Sequence, residues 1–178
     1  MSLKGQRVAV LAENGYQELE FWYPVMRLRE EGAEVVIAAP QTDKPYESQL
    51  GYPLLAQSAI ADLDPDSVDA VIIPGGAAGE RLSAYDETLR LLQSASARGA
   101  VTAAICTGVS ALTASGVAKG HRVTGDGSVR EAATDAGSTY LDQEVVVDGG
   151  LITSRQPDDL PAFFAAIQTA LSDNQEKK

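Results

Sequence analysis

The single cysteine of the chain, Cys106, lies in the stretch TAAICTGV at residues 102–109, where an apolar run reaches a glycine two residues after the thiol. Ala104 and Gly108 flank it at the spacing of a G-x-S-x-G elbow, with Cys in the place of Ser and Ala in the place of the first Gly. Such an elbow holds the nucleophile on a strained strand-to-helix turn above the sheet. The helix dipole there favours an anion, so a thiolate is expected. The alternative is a buried, inert thiol packed as a small hydrophobe, a common fate of free cysteine. A nucleophile also needs oxyanion donors and a proton carrier. Gly75-Gly76, after an apolar run, and the amide of Thr107 are the candidate donors. Glu18 and Glu20 are the candidate carboxylates. Lying two apart on a helix, they cannot both face one crevice, so one of them is expected to be solvated.

Other chemistries find little support in the residues. One His and one Cys, with no spaced ligand cluster, argue against a metal site. The segment GGAAGE lacks the Lys-Ser/Thr ending of a phosphate-binding loop. No cofactor is expected. The sole histidine, His121, sits in a Lys-Gly-His-Arg turn and is expected to be an exposed imidazole.

The elements that must position Cys106 follow from periodicity. Short apolar runs at Arg7–Ala12, Glu34–Ala39, Ala70–Pro74 and Val101–Ile105 read as strands buried on both faces of a parallel sheet. Between them, Leu19, Trp22, Tyr23, Met26 and Leu28 recur at helical spacing, with Gly32 as the stop and Pro24 predicting a kink or a late start. Asp86–Arg98 closed by Gly99, and Thr107–Ser115 closed by Gly116, predict two more helices. Ser48–Tyr52 with Leu54–Gln57 predicts a small hairpin, and Arg122–Thr124 a strand before a helix near Val129–Ala136. Glu144–Val147 and Leu151–Thr153 read as a hairpin or as adjacent edge strands. A last helix opens at Pro157 and runs to about Leu171. Strands alternating with helices predict a doubly wound, mostly parallel α/β sheet sandwiched by helices. In that architecture ligands bind beyond the carboxyl ends of the strands, where the loop after the first strand, Gly75-Gly76 and Cys106 converge.

With 178 residues, 44% of them apolar, one domain over residues 1–171 and a polar tail over 172–178 are expected. A net charge of −11, from 25 acidic and 14 basic residues, disfavours nucleic acid and anionic membranes as partners. It is read either as a plain acidic surface or as adaptation to a salt-rich cytoplasm. No apolar run approaches the roughly 18 residues that cross a bilayer, and the start MSLKGQRVAV lacks a signal peptide's apolar region. A lone cysteine suits a reducing compartment, so a cytoplasmic location is expected. Phe21, Trp22 and Tyr23 exceed what one buried stripe needs, which predicts part core and part self-association patch.

The stretches ELEFWYPVMRLREEGAEVVIAA, VDAVIIPGGAAGERL, VTAAICTGVSALTASGV and YLDQEVVVDGGLITSRQPDDLPAF span nearly the whole chain and resemble the ThiJ/PfpI superfamily. The last is especially similar to the intracellular protease I-like stress proteins. The resemblance implies a flavodoxin-like, class I glutamine amidotransferase-like fold and a homo-oligomer, dimer or hexamer. It implies Cys106 as nucleophile, and as its proton-sharing partner Glu20, the carboxylate four residues before Pro24. Gly75 and Gly76 would supply the oxyanion amide, and Glu80 would point into a neighbouring subunit's site. Three positions depart from the pattern. Thr107 stands where protease I-like members have His after the nucleophile, and is similar to the isocyanide hydratase branch, which has Asp where this chain has Glu20. Asp126 stands where the deglycase branch has a His, and Gln17 where many relatives have an acid. The implied activity is glyoxalase- or deglycase-type chemistry on a small carbonyl substrate. The alternatives are a stress protein whose Cys106 reacts with an oxidant to sulfenic or sulfinic acid, and a cysteine peptidase.

Overall fold

The computed structural model describes residues 2–176. Eleven strands appear in it: β1 (Arg7–Leu11), β2 (Glu34–Ala39), β3 (Pro45–Glu47), β4 (Pro53–Leu55), β5 (Ser58–Ala59), β6 (Ala70–Ile73), β7 (Val101–Ile105), β8 (Arg122–Val123), β9 (Thr139–Tyr140), β10 (Val145–Asp148) and β11 (Leu151–Ser154). The α-helices are α1 (Glu18–Glu30), α2 (Ala77–Leu82), α3 (Asp86–Ala97), α4 (Val109–Ala114), α5 (Arg130–Asp135) and α6 (Leu160–Glu176). Seven strands form one sheet in the order β10-β11-β7-β6-β1-β2-β5, parallel except for the antiparallel β10–β11 edge. This is the doubly wound, mostly parallel sheet that the alternation predicts.

Side-chain alternation along each strand splits the interior into two layers. Val8, Val10, Ile72, Ala103 and Ile105 pack with Phe21, Val25 and Leu28 of α1 and with Phe163, Phe164 and Ile167 of α6. Ala9, Leu11, Val71, Ile73 and Ala104 face Leu91 and Leu92 of α3 and Val109 and Leu112 of α4. Each fully buried Leu, Ile or Phe contributes about 2 kcal/mol by leaving water, so the two layers fix the register of the sheet. That register aligns Val10 with Ile72, and Ile73 with Ala104, so β1, β6 and β7 end side by side. The sheet order reverses between β1 and β6. The crevice of a doubly wound sheet opens at such a reversal, and the loops after β1, β6 and β7 line it here.

Several local expectations change. The hairpin forms, but its strands are β3 and β4, and Ser48–Tyr52 is the connecting loop. β5, which pairs with β2, and α2 were not anticipated. β8 leaves the main sheet and pairs in parallel with β9. Pro24 sits inside α1 and the helix runs through it, since a proline φ is itself helical and only the bond to the Glu20 carbonyl is given up. α6 runs to Glu176, past the expected end at Leu171. The segment beyond Leu171 is tied down by Asn174 Nδ2 donating to the Gly99 carbonyl (3.3 Å) and Gln175 Nε2 to the Lys4 carbonyl (3.1 Å). Lys177 and Lys178 of the expected tail lie outside the described residues. No described helix is long and apolar enough to cross a membrane.

Backbone against backbone, not side-chain packing, seats the loop after β7. A Cβ on Gly108 would fall 2.6 Å from the Ile73 carbonyl oxygen and 2.8 Å from that of Pro74. A Cβ on Gly79 would fall 2.6 Å from the Thr107 oxygen. Gly108→Ala is therefore expected to lower unfolding stability by about 2 kcal/mol through overpacking. Gly127→Ala, where a Cβ meets nothing within 4 Å, should change it by less than about 0.5 kcal/mol in the same urea titration.

Candidate active site

Cys106 is the only described non-glycine residue with positive φ, at 60°. A side chain in this left-handed conformation costs on the order of 1–3 kcal/mol and persists only where its surroundings impose it. Here the chain leaves β7, makes one 3-10 turn over Cys106–Gly108 and enters α4, so the expected α-helix from Thr107 begins two residues later. The result is a strained strand-to-helix turn, with Cys106 half-buried at the carboxyl end of β7.

The carboxylate reaches the sulfur from α1. Gln17 is the N-cap of that helix, its side-chain oxygen accepting from the Glu20 amide at 2.8 Å. Glu20 is fully buried. Its Oε2 accepts the Gly75 N–H at 2.8 Å, while Oε1 is buried with no hydrogen-bond partner. Glu20 Oε2, Cys106 Cβ and Cys106 Sγ converge on the Cα of Gly75. A Cβ there would collide with the carboxylate oxygen and stand 2.6 Å and 2.9 Å from the two cysteine atoms. Glu18, across the helix, is not merely solvated: its Oε1 accepts the Leu50 N–H at 2.6 Å.

The glycine pair divides its labour. The Gly75 amide is committed to Glu20, so it is not available as an oxyanion donor, and that expectation narrows to Gly76. The N–H groups of Thr107 and Gly76 are the two that favour the ionised form of the cysteine side chain. Gly76 has φ 75° and ψ −165°, a conformation effectively restricted to glycine. The Thr107 hydroxyl donates to the Gly76 carbonyl at 2.7 Å.

Electrostatics revise the expectation of a free thiolate. Burial pushes the Glu20 carboxyl up from 4.5 to about 7, against the Gly75 N–H and Cys106 that favour its charged form; the negative Asp126 adds to the rise. Burial, and next the Glu20 charge, push the Cys106 thiol up from 9.0 to about 11, against the Thr107 and Gly76 amides. The dipole and amides that favour a thiolate are outweighed by desolvation and a neighbouring acid. From about pH 7 to about 11 the pair thus holds one negative charge and one proton. Carboxylate with thiol and carboxyl with thiolate are its two forms.

The remaining predicted positions lie further out. Asp126 acts on the pair through its field alone, and its carboxylate is held ionised by the hydroxyl (2.6 Å) and N–H (2.9 Å) of Ser128. Glu80 is exposed on α2, outside the cluster around the sulfur. His121 lies at the opposite end of the sheet, 3.6 Å from Asp148, beside the residues where β7 begins. It is half-exposed rather than free in solvent. No described group of three or more His, Cys, Asp or Glu could hold a metal ion. Two neighbours were missed: Gln49, whose Nε2 lies 3.1 Å from where a Gly76 Cβ would be, and Gly15, whose carbonyl oxygen crowds the same point. Neither carries a sequence signal, because the loops that bring them there have no periodicity.

The sequence profile of the DJ-1/PfpI family matches residues 6–170. The chain belongs to the DJ-1/PfpI family. It is 36% identical over 158 residues to a deglycase of Thermococcus kodakarensis, covering 89% of this chain and 95% of that one. Among solved structures it is similar to a two-domain protein from Anabaena variabilis with DJ-1/ThiJ/PfpI-like and ferritin-like domains (TM-score 0.92, 34% identity). The match covers 94% of this chain and 48% of that one, so the chain spans about half of it. It is also similar to DJ-1β of Drosophila melanogaster (TM-score 0.87, 29% identity, 96% and 91% covered).

The raised Glu20 carboxyl fixes the sign of one pH effect. A group whose folded pKa exceeds its unfolded value stabilises the fold most below the unfolded value, and that contribution is lost as pH rises through the folded one. From about pH 4.5 to above about 7 the protein should lose about 3 kcal/mol relative to Glu20→Gln, whose amide can still accept the Gly75 N–H. Urea titrations of both proteins across that range check this; parallel stability curves would contradict it.

Proposed function

We propose that this DJ-1/PfpI protein is a cysteine-dependent enzyme acting on small reactive carbonyls, of the glyoxalase or deglycase type, with Cys106 as nucleophile and Glu20 as proton carrier. The observation that carries the reading is the convergence on Gly75 of a strained, half-buried thiol and a fully buried carboxyl. The deglycase name of the Thermococcus kodakarensis relative supports it.

With an α-oxoaldehyde such as methylglyoxal, the pair reacts from its carboxyl–thiolate form. The sulfur adds to the aldehyde carbon, an S–C bond forms, and the C=O π pair moves to oxygen. The Gly76 and Thr107 amides receive that oxyanion and Glu20 protonates it, giving a thiohemiacetal. The Glu20 carboxylate then removes the proton from the former aldehyde carbon, and the enediol takes a proton at the adjacent carbon to give a thioester. Water cleaves the thioester to a 2-hydroxy acid and restores the thiol. The sum is one carbonyl plus one water, with no external oxidant or reductant. The single histidine, His121, lies at the opposite end of the sheet, so the peptidase reading has no imidazole beside the sulfur, and among the described residues Glu20 is the carboxyl that converges with it.

A second reading has its own observation. Glu20 Oε1 is buried and unpartnered, and an oxygen added to the sulfur would give it a partner. With a peroxide as oxidant, one S–O bond forms as the O–O bond breaks and water leaves; a second equivalent gives the sulfinic acid. We further propose a cytoplasmic homo-oligomer. Leu19 (57% exposed), Met26 (54%), Tyr52 (60%) and Leu50 (88%) form an apolar face on α1 and the Ser48–Tyr52 loop that a second copy would cover. Phe21 lies in the core, and of the adjoining aromatics Trp22 meets this face by stacking edge-on against Tyr52.

The test is methylglyoxal consumption with 2-hydroxy acid formation, and sedimentation of the same sample. Turnover is expected, abolished by Cys106→Ser and reduced about 10²- to 10⁴-fold by Glu20→Gln. A stable Cys106 adduct of one or two oxygen atoms after peroxide, without turnover, would replace the enzyme with the redox reading. A monomer at all concentrations would remove the oligomer.

A further inference from the structure

The polar atoms of Gly75 and Gly76 can be accounted for one by one. The Gly75 N–H is given to Glu20 Oε2 at 2.8 Å. The Gly75 carbonyl accepts the Gln17 N–H at 3.2 Å, within a bridge that pairs Tyr16 with Gly76. The Gly76 carbonyl accepts the Thr107 hydroxyl at 2.7 Å, and more weakly the Gly79 N–H at 3.3 Å. One donor is left, the Gly76 N–H, and with the Thr107 N–H it favours the ionised sulfur, while the space at the adjoining Gly75 Cα is bounded by Cys106 Sγ itself.

Three of these ties belong to the loop after β1 and the start of α1 and α2. Among the described residues, the Thr107 hydroxyl is the side-chain donor that ties the nucleophile's own turn to a backbone carbonyl of the glycine pair. Nothing else there is soft. Gly108 rests on the carbonyls of Ile73 and Pro74, and Gly79 on the Thr107 peptide, at separations that admit no Cβ. The contacts between the two loops are repulsive walls that set a minimum spacing, and the hydroxyl supplies the attraction that holds them at it. Gly76, at φ 75° and ψ −165°, has no side chain of its own to restrict it.

We propose that Thr107 is a positioning residue whose hydroxyl latches the Gly76 carbonyl and so restrains the Gly76 torsions that link this carbonyl to its N–H, keeping the Gly76 and Thr107 amides on a common aim at Cys106 Sγ and at the oxyanion formed there. This deepens the reading above and rests on it for the oxyanion. The aim on the sulfur itself does not require turnover. The latch gives the side chain after the nucleophile a task a histidine in that position would not perform in this way: it organises donors and moves no proton. Without it, the Gly76 carbonyl keeps the longer Gly79 bond, so the loop stays folded while the donor angle relaxes.

The experiment is the pH profile of Cys106 alkylation by iodoacetamide in the full-length protein, wild type against Thr107→Val and Thr107→Ser, with methylglyoxal kinetics alongside. Val keeps the shape and removes the hydroxyl; Ser keeps the hydroxyl. The expected result is a Val profile displaced to higher pH, with alkylation near neutrality slowed about tenfold, and a Ser profile within about twofold of wild type. In turnover the Val variant should lose kcat while KM changes little. Alkylation of Thr107→Val on the wild-type profile would overturn the latch, as would a Ser variant as impaired as Val. A wild type that does not turn over methylglyoxal but shows the displaced Val profile would retire the carbonyl chemistry and leave the latch standing.

Discussion

One hydrogen bond, from the Gly75 N–H to Glu20 Oε2, ties together everything else at this site. It brings a carboxyl from the first helix to the end of the third strand of the sheet's central run, across 55 positions of sequence. It can form only because residue 75 has no side chain, since the space a Cβ would take is already shared by the carboxylate and the cysteine. Removing water from an acid is costly unless the charge is met or a proton is kept. This site meets part of the charge with one amide and keeps a proton for the rest. The same economy governs the sulfur, which has two amides and too little water to stay ionised while Glu20 is charged. Reactivity and burial are therefore not separate properties of this cysteine.

The scaffold has to withstand the strain this arrangement imposes. A left-handed Cys106, a glycine-only conformation at Gly76 and a buried ionisable pair together work against folding. Two apolar layers packed on either face of the sheet oppose them, and the aligned ends of β1, β6 and β7 leave the loops little freedom to relax. Thr107 and Asp126, flagged in the sequence, both fall on the rim. Thr107 is tied to Gly76, Asp126 is tied to Ser128, and neither is an imidazole.

Much of the scaffold was legible because long apolar runs and glycine stops are local signals. β1, β6, β7, α1 and α3 were readable on that basis. β5 and β9 were not, because each is two residues long and is a strand only by virtue of its neighbour; β8 was readable as a strand, but not its pairing with β9 outside the main sheet. α2 begins at a glycine pair with no apolar period to announce it. At the site, the strand-to-helix turn in TAAICTGV marked Cys106 and Thr107, and spacing alone could not choose between Glu18 and Glu20; the resemblance did. That Gly75 serves the carboxylate and Gly76 the sulfur could not be read, since adjacent glycines look alike until a partner distant in sequence selects one. The thiol's raised pKa was hidden for a related reason. A sequence displays the helix start that favours a thiolate and conceals the burial that opposes it.

The most direct measurement uses the fact that the chain has a single cysteine. Carbon-13 at the β position of cysteine gives one resonance, and label at the glutamate carboxyl can be assigned to Glu20 by comparison with Glu20→Gln. Followed together against pH by NMR, the two signals should share a step near neutrality and a second well above the ordinary thiol range. That is the behaviour of two groups exchanging one proton. A Cys106 signal with one step near the unperturbed value of roughly 8.5, beside a Glu20 signal that moves only near pH 4, would contradict the account.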